Sequence, residues 1–103
     1  MTIPFACDMT AIPPGERGAH QAVTRHVVTA ATVIRDSGEG FVFELAADDY
    51  EMVTRFVAKE RLCCPFLTFV VTARAEPPPV ELRITGPIGA KEFIRAELHL
   101  PPG

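Results

Sequence analysis

Two adjacent cysteines, Cys63 and Cys64, are the residues of this sequence best suited to carry chemistry. Pro65 follows them and disfavours the α conformation in the residue before it, so a helix is expected to end at Leu62 or Cys63. Within a regular helix two neighbouring side chains diverge by about 100°, whereas an irregular helix end can turn both thiols toward one point. Thiolates are soft ligands, so the pair suits Cu(I), Zn(II) and similar thiophilic ions.

An ion held by this pair needs a third or fourth donor, and Cys7 is the only other cysteine. Glu60 lies one turn before the pair, on or beside the apolar side of its helix, where it could act as a ligand, a proton donor or an orienting partner. His20 follows Cys7 within a short distance along the chain. His20 and His26 are six residues apart and face different sides of a helix, so they do not form an H-x-x-x-H metal pair.

Two other interpretations of the cysteines stay open. One cysteine could serve as a nucleophile or redox thiol, with Glu60 or His20 as its proton donor or base, which would make the protein a small enzyme. Alternatively, the pair between Leu62 and Phe66 is only core, because cysteine behaves as a small hydrophobe. The protein would then be a sensing or interaction module. The partial negative charge at a helix C-terminus opposes thiolate formation and favours this last interpretation.

Length and composition predict one packed domain over residues 1–103, since 48% of the residues are hydrophobic and 22% are charged. A net charge of −3 and the lack of a densely basic stretch argue against nucleic-acid binding by this domain alone. No apolar run approaches the roughly 20 residues of a membrane span, and the N-terminus lacks a secretion signal. A cytoplasmic protein with three reduced thiols is therefore expected.

Helical periodicity predicts three helices, with an arm before the first and a tail after the last. Asp48 is expected to be the N-cap of the second helix, with Glu51 three residues later in a capping box. The predicted segments are an N-terminal arm over residues 1–12, helices over about 14–31, 48–63 and 90–98, and a disordered tail over 99–103.

Alternation of apolar and polar residues predicts four strands in two hairpins, over residues 32–36, 41–45, 67–74 and 80–85. The order along the chain is then α-β-β-α-β-β-α. It predicts an α+β fold in which helices cover one face of a four-stranded antiparallel sheet, as a two-layer sandwich. Val42 and Val70 point to the other face, which would suit a homodimer paired through its sheets.

Three segments resemble a group of small bacterial proteins, some of which stand alone while others form the tail of MerR-type regulators. The block ERLCCPFLTF from Glu60 matches their E-x-x-C-C-x-F-x-x-F segment, and the block LRITGPIGAKEF from Leu82 contains their G-P-x-G-A turn. The opening CDMTAI from Cys7, with Arg17 and His20 after it, is similar to their first segment. The resemblance implies a single constellation of Cys7, His20, Glu60, Cys63 and Cys64, and association with such regulators implies a response to metal or thiol-reactive stress.

The leading hypothesis from the sequence is a protein that binds a thiophilic ion, namely Zn(II), Cu(I), Hg(II) or As(III). Cys63 and Cys64 would hold the ion, together with Cys7 if it folds close to them. Glu60 and His20 would supply a fourth ligand or orient the ligands. Sulfur atoms within roughly 4 Å of one another would fit such a shared ion, because each bond to sulfur is about 2.3 Å long.

Overall fold

A computed structural model of the protein describes residues 7–100, and residues 1–6 and 101–103 lie outside the described part. Its helices and strands follow the predicted order α-β-β-α-β-β-α, which confirms the α+β fold. The elements are α1 (Arg17–Ala30), β1 (Val33–Ser37), β2 (Gly40–Leu45), α2 (Tyr50–Cys63), β3 (Thr68–Ala73), β4 (Val80–Thr85) and α3 (Ala90–Glu97), with 3₁₀ turns at Met9–Ala11, Pro14–Glu16 and Ala47–Asp49.

The four strands form one antiparallel sheet in the order β1-β2-β4-β3. The central pair aligns Phe43 with Leu82, and both side chains are fully buried. Alternation places every second side chain on this face, so the helices bury their apolar sides against one continuous surface. Val27 of α1, Phe56 of α2 and Ile94 of α3 complete the main core.

Both of the first two helices begin later than predicted, because each is preceded by a 3₁₀ turn. The N-cap prediction for Asp48 is wrong: α2 begins at Tyr50, and the capping position is held by Asp49 without a side-chain cap. Within the 3₁₀ turn, the Asp49 N–H donates to the Ala46 carbonyl over 3.0 Å. This backbone donor therefore needs no side-chain cap. The Asp49 carboxylate instead faces α1, where its Oδ1 lies 3.2 Å from His26 Nε2.

His99 and Leu100, the first two residues of the predicted tail, belong to the described part of the chain, and the disorder of the tail stays a prediction. Leu100 is buried, and its N–H donates to the Arg95 carbonyl over 2.9 Å. The apolar side chain gains more by packing on the core than the short segment loses in freedom. The remainder of that predicted tail, residues 101–103, lies outside the described residues, as does the first half of the arm.

The outer face of the sheet is mixed in character. Val42 is buried there, opposite Arg35 and Arg83 in the strand register, whereas Val70 is 47% exposed. The Arg35 guanidinium is hydrogen-bonded to the Glu44 carboxylate on the neighbouring strand. Pairing of two copies through this face stays a prediction. Among residues 7–100, no helix is both long enough and apolar enough to cross a bilayer.

Gly40 provides a test of the close strand packing in β2. A methyl group on Gly40 would overlap the Ile84 carbonyl oxygen of β4 and lie 2.8 Å from the Thr85 Cα, with only backbone atoms to move aside. We expect Gly40→Ala to lower the free energy of unfolding by about 2 kcal/mol or more in urea denaturation. Gly18→Ala is the control, because a methyl group at Gly18 meets nothing within 4 Å and should stabilise α1 by about 0.5–1 kcal/mol. Equal stability of the two variants would contradict this account.

Candidate thiol site

The C-terminal end of α2 places Cys63 and Cys64 side by side in the interior. The helix ends at Cys63 as predicted, and Cys64 leaves the helical region with φ −123° and ψ 68° immediately before Pro65. The last turn stays closed because Cys64 N–H donates to the Glu60 carbonyl over 2.8 Å. The two Sγ atoms lie 3.9 Å apart, and neither cysteine is exposed to solvent. The irregular helix end therefore directs both sulfurs into one place.

The N-terminal arm crosses the end of α2 and brings the third sulfur there. Asp8 N–H donates to the Cys63 carbonyl, one of the carbonyls that a helix end leaves unpaired, over 2.8 Å. Arg17 Nε donates to the carbonyls of Met9 and Ile12 over 2.9 and 3.0 Å. Ile12 is fully buried in the same region. The Asp8 contact holds the arm against the end of α2, and the Arg17 contacts hold it against the start of α1. Cys7 folds close to the other two cysteines, as the leading hypothesis requires.

Cys7 and Cys64 are joined by a disulfide that spans 57 residues, with a Cα–Cα distance of 4.8 Å. In this arrangement Cys63 alone of the three cysteines, all of which lie within residues 7–100, is free, which differs from the three thiols expected in a reducing compartment. The reason is the arm, whose position no pattern within the sequence reports. Cys7 is a partly exposed residue, whereas Cys63 and Cys64 are fully buried.

Four ligand atoms of the types that bind metals meet at this point. The three Sγ atoms and one carboxylate oxygen, from Cys7, Glu60, Cys63 and Cys64, all lie within 4.8 Å of one another. These residues are close enough to bind one ion. Four of the five residues predicted for the site are thus brought together, although they come from two distant parts of the chain.

Glu60 is buried at the centre of a short hydrogen-bond chain. Its Oε1 accepts from the Cys63 thiol over 3.2 Å and lies 2.8 Å from His20 Nε2. A carboxylate is acceptor-only, so the imidazole donates this bond. The His20 ring is itself buried and stacks on Phe56 with the ring centres 6.0 Å apart. His20 therefore contacts Glu60, and Glu60 in turn contacts the Cys63 thiol, so His20 is linked to the sulfur atoms through Glu60.

The surroundings of Cys63 hold its thiol in the protonated form. Burial, followed by the negative charge of Glu60 and the hydrogen bond to Glu60, raises the pKa of Cys63 to about 12. The Glu97 carboxylate adds to the same effect. A nucleophilic cysteine needs a lowered pKa, so this environment is the opposite of the one that the enzymatic interpretation requires of Cys63.

The cysteines also have a packing role. Ile12, Cys63 and Cys64 form a second, smaller buried cluster beside the main core. Phe66 and Phe93 flank the cluster and contact each other edge to face, with ring centres 5.1 Å apart. The core interpretation of the thiols is therefore compatible with the packing, although it does not account for the buried Glu60 carboxylate.

Two further residues that influence the site were not identified from the sequence. Arg17 holds the arm through backbone carbonyls, and Glu97 reaches the site from the end of α3. Neither has a motif of its own, and the only sequence signal for Arg17 is its place in the opening segment of the resemblance.

Comparisons of the chain with known protein families, with curated proteins and with solved structures found no match. The geometry of the site is therefore the basis on which a function can be proposed.

Thiol counting tests this arrangement. Without a reductant, the native protein should show no fast-reacting thiol toward 5,5′-dithiobis(2-nitrobenzoate) at pH 7, because Cys63 is buried and protonated. One thiol should appear in denaturant, and all three after reduction. The native rate should rise about tenfold per pH unit toward the pKa of about 12. A thiol that reacts at once in the folded protein at pH 7 would contradict the described environment.

Proposed function

We propose that the reduced protein binds one thiophilic ion through Cys7, Cys63 and Cys64, with Glu60 as a fourth ligand or as the partner that orients Cys63. The observation that carries this proposal is the convergence of three sulfurs and one carboxylate oxygen within 4.8 Å. Such a donor set suits Zn(II), Cu(I), Hg(II) or As(III), because thiolates prefer soft and borderline ions. The resemblance to small bacterial proteins, some of them attached to MerR-type regulators, agrees with this role.

The spacing of the buried pair fits a shared ion. Two thiolates bound at about 2.3 Å to a tetrahedral ion lie about 3.8 Å apart, and the Cys63 and Cys64 sulfurs are 3.9 Å apart. The pair therefore needs little movement to bind. The Glu60 carboxylate, 3.2 Å from the Cys63 sulfur, could then bind the ion directly or remain beside it.

Reduction must precede binding, since the disulfide occupies the donor electrons of Cys7 and Cys64 that an ion would share. A reducing cytoplasm, the compartment predicted from the sequence, would supply the dithiol form. Binding also displaces the proton from Cys63, whose pKa is raised to about 12. Proton and ion compete for this sulfur, so ion affinity should increase as the pH rises.

Cadmium binding tests the proposal. Titration of the reduced full chain with Cd(II) should give one equivalent bound, with sulfur-to-metal charge-transfer absorbance in the ultraviolet. Cys7→Ser should lower the affinity by more than tenfold while leaving the fold intact, because Cys7 is partly exposed. Glu60→Gln should lower the affinity about 10- to 100-fold, as loss of a metal-orienting partner does.

Glu51→Gln is the matched control, since Glu51 is exposed on the first turn of the same helix and should bind as the unmodified protein does. The disulfide form should bind no cadmium. The proposal fails if the reduced protein takes up no ion, or if Cys7→Ser and Cys64→Ser both bind as tightly as the unmodified protein.

A second candidate function is that of a thiol–disulfide redox protein, and the Cys7–Cys64 disulfide favours it. An external dithiol would reduce this bond: one thiolate attacks the sulfur of Cys7, the more exposed residue of the pair, and Cys64 leaves as the thiolate. The second thiol then closes the external disulfide, so that two electrons and two protons pass to the protein. Cys63 lies 3.9 Å from Cys64 and takes no part while it remains protonated.

Equilibration with glutathione buffers separates a redox function from a structural disulfide. A redox protein should give a reduction potential in the range of thiol–disulfide oxidoreductases, roughly −120 to −270 mV. A potential below about −300 mV is typical of a structural disulfide and would exclude this second candidate. Cys63→Ala is the control, because it removes the free thiol and keeps the bonded pair.

A further inference from the structure

A cavity of about 460 Å³ is lined by residues of α1, by Glu60 of α2 and by the C-terminal end of α3, and no cysteine is among its lining residues. This volume falls in the range of small-molecule sites, about 300–1,000 Å³. His20 and Glu60, both buried, contribute to its wall, and Met9 of the arm closes one side. The polar residues that α1 and α3 add to the lining are Gln21, Thr24, Arg25, Thr29, Glu97 and His99.

His20 leaves one buried polar atom unsatisfied. Its Nε2 donates to Glu60, while its Nδ1 has no hydrogen-bond partner among residues 7–100. A buried polar atom without a partner costs about 1–3 kcal/mol, so native proteins rarely keep one without a reason. In the neutral ring Nδ1 is then an acceptor. A ligand that pairs with Nδ1 of the neutral His20 ring must therefore donate a hydrogen bond to it.

The part of the cavity wall that contains Glu60 and Glu97 is negatively charged. Burial and the nearby Glu60 charge raise the pKa of Glu97, and His99 offsets this only in part. Two carboxylates near each other, next to the negative C-terminal end of α3, favour a positively charged group between them. An ammonium group has three N–H donors, which suits the Glu97 carboxylate together with His20 Nδ1.

The α1 side of the cavity is positive. Gln21, Arg25 and Thr29 follow one another at four-residue spacing, so they lie along one face of the helix. Arg25 is exposed and forms no ion pair or hydrogen bond with any of residues 7–100. Its guanidinium is a fork of donors that matches a carboxylate.

We propose that this cavity binds a free α-amino acid, with its ammonium group against Glu97 and the His20 imidazole and its carboxylate against Arg25. The opposite charges of the two walls select a zwitterion over a simple amine or acid. The remaining volume, bordered by Met9 and Val28, takes the side chain. This site does not depend on the thiol function, since none of its proposed ligand contacts involves a cysteine.

Binding is tested on the full chain in its disulfide form, which keeps ion binding out of the measurement. Each common L-amino acid is titrated singly while amide resonances are followed by ¹H–¹⁵N NMR. At least one should give saturable shifts at Gln21, Arg25 and Glu97. Its decarboxylated amine and its deaminated acid should each bind at least about tenfold more weakly, because each lacks one of the two charged contacts.

Arg25→Gln and Glu97→Gln should each weaken binding about tenfold, and both residues are exposed enough for the fold to tolerate the change. Arg55→Gln and Glu92→Gln are matched controls on exposed positions of α2 and α3 that do not line the cavity, and they should bind normally. The proposal is overturned if no amino acid binds, if the amine or the acid binds as tightly as the zwitterion, or if neither cavity variant changes the affinity.

Discussion

The candidate site depends on the burial of one carboxylate, that of Glu60. A buried charge is costly unless hydrogen bonds compensate for it, and here the compensation comes from His20 on α1 and from the thiol of Cys63 on the same helix. The carboxylate therefore links the two helices and, after burial itself, is the main cause of the raised pKa of the Cys63 thiol. It belongs both to the group of sulfur ligands and to the lining of the polar cavity.

The disulfide and the proposed ion site are mutually exclusive arrangements of the same sulfur atoms. In one, Cys7 and Cys64 share a bond and Cys63 remains a thiol. In the other, all three would share an ion, because the same electron pairs cannot serve both arrangements. The contacts that hold the arm involve Asp8 and Arg17 and no sulfur atom. These contacts hold the arm independently of the disulfide, so they would also keep Cys7 near the other sulfurs in the proposed ion-bound form.

Much of the fold follows from local pattern. Residues 80–85 form β4 with the predicted bounds, because strict alternation is a strong signal, and α2 ends at Cys63 because Pro65 excludes a further helical residue. The error at the start of the second helix falls where two local solutions compete, since a 3₁₀ turn replaced the Asp48 cap. The burial of Leu100 depends instead on core residues that are distant along the chain.

The sequence by itself determined the order of elements, the adjacency of two thiols at a broken helix end and the presence of Glu60 one turn earlier. Only the tertiary structure decided that Cys7, 57 residues before Cys64, lies beside it, and that His20 meets Glu60 across 40 residues. The physical reason is the distance along the chain over which each interaction acts. Propensity, alternation and proline act over a few neighbours, whereas distant side chains meet only after the helices have packed on the sheet.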